Sequence, residues 1–137
     1  MTGPILALRR AILDRAQADP DLAALMGGTA RLHDEPPRAA EPVYAVFGDV
    51  NAEDWSTDTD RGHLQTLSLV VWAKPGSARS ALLAAERLSA LLHEADLPLD
   101  GQRLVTLRVT GVSAPRDEKT QLARVSVALR AVTEQVP

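Results

Sequence analysis

The chain opens with apolar residues at helical spacing. Ile5, Leu8, Ile12 and Ala16 fall on one stripe flanked by Leu6 and Leu13, and Pro4 suits a first helical turn. Asp19 and Pro20 then read as the N-cap and first position of a short second helix containing Leu22, Leu25 and Met26, stopped at Gly27 and Gly28. Residues 34–42 (DEPPRAAEP) hold three prolines, which disfavour helix and predict an extended connector. Residues 43–50 (VYAVFGDV) make a short strand candidate. The polar stretch at 51–62 (NAEDWSTDTDRG) has no apolar periodicity and reads as a long loop, of a kind that is usually functional or disordered.

Period-2 alternation begins at residues 63–73, with Leu67, Leu69 and Val71 on one face and Thr66, Ser68, Val70 and Trp72 on the other. Ser77 is placed to cap a helix over 78–95, in which Ala81, Ala85, Leu88, Leu92 and Ala95 form one apolar face. Two long strands follow, at 103–113 and 121–133. In the first, Val105, Leu107 and Val109 alternate with Thr106, Arg108 and Thr110. In the second, Val125, Val127, Leu129 and Ala131 alternate with Arg124, Ser126, Ala128 and Arg130. Each would run roughly 30 to 40 Å. One apolar and one polar face per strand predicts an α+β fold: a mainly antiparallel sheet of about four strands, helices packed on the face of Leu69, Leu107 and Val127, and a long C-terminal β-hairpin. A single domain spanning 1–137 is the natural division for this length.

Composition narrows the chemistry. The chain is 45% apolar but only 3% aromatic, and its 15 basic and 18 acidic residues give a net charge of −3. With no cysteine there is no thiol nucleophile and no thiolate metal site. No basic cluster of the kind that grips phosphate backbones stands out. The apolar runs are too short to span a bilayer and the N-terminus lacks a signal-peptide core, so a soluble, cytosolic chain without membrane contact is expected.

His33, His63 and His93 form no ligand pair at helical spacing. His33 beside Asp34 and Glu35 is better read as a surface histidine than a base, and His93 as a favourable charge at a helix C-terminus. A calcium loop begun at Asp58 would need Gly and Glu where His63 and Leu69 stand. Phosphate-binding loops, nucleophile elbows and dinucleotide fingerprints are absent, so no catalytic, cofactor-binding or metal residues are expected. On the polar sheet face Arg108, Arg124 and Arg130 lack the paired aromatics of an RNA reader and suit a solvated or protein-contacting face. Trp55 in the polar stretch either folds back over a core edge or stands as a partner-contacting anchor, a role in which Trp is enriched.

Taken in order, these segments resemble the tail completion (tail terminator) proteins of long-tailed phages and phage-like gene transfer agents. The likeness is carried by DLAALMG at 21–27, ARLHDEP at 30–36, PVYAVFG at 42–48, Asp54 to Thr57 leading to Arg61, Gly62 and His63, the strand ending Val70-Val71-Trp72, the helix with Leu88 and Leu92, and Gly101 to Leu107. Leu32 departs from the aromatic or β-branched residue common there. The resemblance implies a non-enzymatic virion protein without cofactors. It would form a homohexameric ring on the head-proximal end of the tail tube, halting tube growth and offering a surface to the head-side connector. DNA would pass through the lumen without specific binding, and assembly would occur in the host cytoplasm. The expected subunit or partner contacts are Asp54, Trp55, Ser56, Thr57, Asp58 and Arg61 in the polar stretch, and Arg116, Asp117, Glu118 and Lys119 at the C-terminal hairpin tip. The alternatives are a small cytosolic α+β ligand-binding or regulatory domain, and a hydrolase or isomerase whose site leaves no motif.

Overall fold

The computed structural model describes residues 3–35, 43–74, 76–114 and 123–136. Helix α1 (Pro4–Gln17) starts at Pro4, as the fixed proline φ favours, and buries Leu8, Ile12, Leu13 and Ala16. Asp19 caps α2 (Pro20–Leu25): its carboxylate accepts the Leu22 N–H at 2.8 Å. The same carboxylate receives both Nε and Nη2 of Arg87, at 2.8 and 2.7 Å, which locks α2 onto the third helix. The Arg87 guanidinium holds the Asp19 carboxyl at about 2, well below the usual carboxylate range. Gly27 and Gly28 take left-handed φ values of 92° and 114°, which ends α2 as expected.

Five strands form one sheet in the order β1-β2-β3-β5-β4, with β1 Leu32–His33, β2 Tyr44–Asp54, β3 Gly62–Ala73, β4 Gln102–Ser113 and β5 Ala123–Gln135. The α+β class, the helix-covered face and the C-terminal hairpin match the expectation; the count of four strands does not. The fifth is β1, two residues paired parallel to β2, too short to show any period. β3 and β5 are aligned along their whole length, from Gly62 opposite Glu134 to Ala73 opposite Ala123. Leu67, Leu69, Val71, Val125, Val127, Leu129 and Ala131 all point to the core.

Helix α3 (Ala78–Leu92) lies across β5 and β3 and reaches β4. Its fully buried Ala81, Ala84 and Ala85 are small enough to let its backbone approach the sheet. Ser77 occupies the N-cap position, yet its side chain makes no capping bond; only its carbonyl serves, accepting the Ala81 N–H. The helix ends at Leu92, three residues before the expected Ala95, because the chain leaves it to dock on the edge of β4. Glu94, at φ 57°, donates its N–H to the Leu107 carbonyl, and His93 Nδ1 accepts the Val109 N–H. The His93 ring thus covers a sheet edge through a hydrogen bond.

β4 departs from simple alternation. Its register with β5 shifts between Leu104 and Thr106 and again between Val109 and Gly111. The first bulge turns Val105 outward to 47% exposure, while Leu104 packs against the core and Leu107 stays buried. Val105 therefore does not share the core face expected for it. Bulges on an edge strand also discourage open-ended pairing. Among the described residues no helix is long and apolar enough to cross a membrane.

Candidate assembly interface

β2 continues well past residue 50, where it was expected to end. Residues 51–54 pair with Thr66, Gln65, Leu64 and His63, after a register irregularity between Phe47 and Val50. At this bulge a side chain on Gly48 would collide with the Ser68 hydroxyl. The loop expected over 51–62 therefore shortens to residues 55–61, at the tip of the β2–β3 hairpin.

The tip is held by hydrogen bonds within it and by one from β5. Trp55 N–H donates to the Gly62 carbonyl at 2.9 Å, Thr57 N–H to the Asp60 carbonyl at 2.9 Å, and Gln135 N–H to the Arg61 carbonyl at 2.8 Å. The Ser56 hydroxyl donates to Asp54 Oδ1 at 2.5 Å and accepts the Gly62 N–H at 3.2 Å. The Ser56 hydrogen bond holds the Asp54 carboxyl below its ordinary value. A Cβ on Gly62 would meet the Trp55 and Thr133 carbonyls at 3.0 and 3.1 Å, so any larger residue would press the backbone at this junction. Trp55, Asp58 and Arg61 remain exposed, Trp55 at 52%. Trp55 is thus half-exposed and is not folded away over a core edge. Asp54, Ser56, Thr57, Asp58, Asp60 and His63 line an open cleft of about 550 Å³ at the tip.

The structure brings Asp54, Trp55, Ser56, Thr57, Asp58 and Arg61 together at this one hairpin tip. Arg116, Asp117, Glu118 and Lys119 lie outside the described residues. The histidines do not converge. His33 sits on β1 against Tyr44, ring centroids 6.5 Å apart; His63 lies near the start of β3; His93 lies at the opposite sheet edge. Among the described residues no three His, Asp or Glu group closely enough to hold a metal.

The sheet face turned away from the helices is the second surface. Successive strands place Asn51, Thr66, Arg130 and Arg108 in one row across it. At one end of the face Tyr44, Trp72 and Arg124 are neighbours, and the Arg124 guanidinium lies 5.7 Å from the Trp72 ring centroid. Alternation identified these arginines, but the facing of Arg108 and Arg130 depends on the β4 bulges and was not visible in the pattern. The Asp19–Arg87 pair was likewise missed, since 68 residues separate its partners.

Comparison with known proteins agrees with this architecture. No curated protein matches the chain. It is similar to a chain of the solved "Virion of native gene transfer agent (GTA) particle", with 32% identity over 98% of this chain and 99% of that one and a TM-score of 0.86. A second solved chain, 17% identical, aligns over 99% of this chain and 98% of its own at a TM-score of 0.56, a likeness of fold alone. The family model described as tail completion protein gp17 matches residues 10–134, and the chain belongs to that family.

Proposed function

We propose that the protein, working as one domain over residues 1–137, caps the head-proximal end of a tail tube as a ring of six copies. The ring ends tube polymerisation and presents a surface to the head-side connector or stopper protein. The carrying observation is the end-to-end likeness to a chain of a gene transfer agent virion, together with family membership. A closed ring needs heterologous contacts between different patches of the same subunit. The exposed hairpin tip and the open sheet face are two such patches at different places on one rigid sheet. Trp55 anchors the tip contact, with Asp54, Ser56, Thr57, Asp58 and Arg61 around it, and Arg116, Asp117, Glu118 and Lys119 of the second hairpin contribute to subunit or tube contacts. The role is structural and uses no cofactor. DNA passes through the lumen without specific binding, the protein resides at the head–tail junction, and assembly takes place in the host cytoplasm.

Purified particles test this directly. Mass spectrometry should find the chain in several copies per particle, and a label on it should appear at the head–tail joint in electron micrographs. Deleting its gene should leave tails that lack heads. Particles free of the chain, or a deletion strain yielding complete particles, would overturn the reading.

A further inference from the structure

Arg108 and Arg130 are direct cross-strand partners on the open face of the sheet. Like charges facing each other across an antiparallel pair destabilise it, so the arrangement calls for a counter-charge. Among the described residues neither guanidinium has an ion pair or hydrogen bond, whereas Arg9, Arg10, Arg87 and Arg103 each have a carboxylate. Their row neighbours Thr66 and Asn51 are uncharged.

Most of the matching charge stands elsewhere on the same chain; Glu53, opposite Leu64, shares the open face two strands from Arg130 but makes no ion pair with it. Residues 49–60 carry five exposed carboxylates, on Asp49, Glu53, Asp54, Asp58 and Asp60. The tip is fixed at the end of the hairpin by the Trp55–Gly62 and Gln135–Arg61 backbone bonds. Gly62 is four strand residues from Thr66, the row neighbour of Arg130, a span of roughly 13 Å. Held there, the tip makes no ion pair with its own Arg108 or Arg130. A chain that is net −3 thus presents an acidic hairpin and an unneutralised basic row at separate sites. Two copies related by a rotation satisfy both, and each addition leaves one patch of each kind free for the next.

We infer that the Arg108–Arg130 row on the open sheet face docks the carboxylate-bearing hairpin tip, chiefly Asp58 and Asp60, of a neighbouring copy of this chain. This rests on the ring reading and names the contact that closes the ring. Complementary charge fixes partner and register at such a contact.

A charge swap tests it, scored as complete particles made when the chain is supplied to a producer lacking it, with circular dichroism confirming that each variant folds. The Arg108→Glu/Arg130→Glu and Asp58→Arg/Asp60→Arg variants should each lower the yield about tenfold or more, and their combination should recover most of it. Undiminished yields in both pairs, or a combination no better than either alone, would overturn the contact; the second result would assign the arginines to another acidic partner or to DNA phosphate. Failure of the ring reading is separately visible, because wild-type particles would then lack the chain. In that case the swap is scored on self-association of the purified protein by light scattering at low salt. Association weakened by each pair and restored by the combination supports the docking; wild-type self-association that neither pair weakens overturns it, as does a wild-type chain that stays monomeric.

Discussion

The two faces of the sheet are built from alternate residues of the same strands and answer opposite demands. On the covered face, Leu69, Val71, Val127 and Leu129 are sealed beneath α1 and α3. On the open face, their immediate neighbours Ser68, Val70, Ala128 and Arg130 meet solvent wholly or in part. The difference separates what makes this chain fold from what it offers to others. The core is built mostly from Ala, Leu and Val, with Phe47 and Met26 as its larger members, while Arg108, Arg130, Trp55 and the acidic tip stand outside it.

Substitutions can break that division, and the covered face should yield the largest effect. Leu69→Ala should lower unfolding stability by about 3 to 4 kcal/mol through loss of buried area and a residual cavity, while Ser68→Ala should stay within about 0.5 kcal/mol. Equal costs in urea titrations would erase the distinction between faces. Next comes Asp19→Ala, which removes an N-cap and the buried half of a partly buried pair with Arg87 and should cost about 2 to 3 kcal/mol. Because folding depresses the Asp19 pKa from 3.8 to about 2, its contribution is complete above about pH 4 and is lost as pH falls through 2. Asp19→Asn should remove that component, amounting to about 2 kcal/mol, from the acid limb of a stability-versus-pH curve.

Val105→Thr sharpens the comparison from within β4. If the bulge turns this residue outward, the change should shift stability by no more than about 0.5 kcal/mol, whereas Leu107→Ala should cost about 2 kcal/mol or more. Smallest in stability is Trp55→Ala, expected within about 0.5 kcal/mol by thermal melting. Its effect should appear instead as fewer head-joined tails in micrographs, and tails of normal number and length would remove Trp55 from the interface.

Period-2 and helical patterns were legible wherever one face meets the core, as in β3, β5 and α1. They failed where burial did not impose a period. Residues 51–54 are strand because they pair with β3, yet they carry polar residues on both faces and so show no apolar period. β1 is held by two pairing residues and leaves no periodic trace. The β4 bulges shift the register without altering the count of valines; Gly111, a glycine inside a strand, was the available hint. Of the candidate interface, residues 54–61 were legible as a polar insertion between strands. The meeting of Arg108 with Arg130 was not, because facing across strands is fixed by bulges and turns distributed over the hairpin.

The unbroken β3–β5 alignment has a mechanical consequence. Its inter-strand hydrogen bonds lie across the strand direction, and twelve residue pairs span the sheet from the hairpin tip to the far end. A pull applied at the tip is directed along β3 and loads these bonds together in shear, without peeling them apart one after another. A subunit gripped by a neighbour at that tip can thus pass tension along its longest paired strands to the opposite end of the sheet while the helices above them carry little of the load.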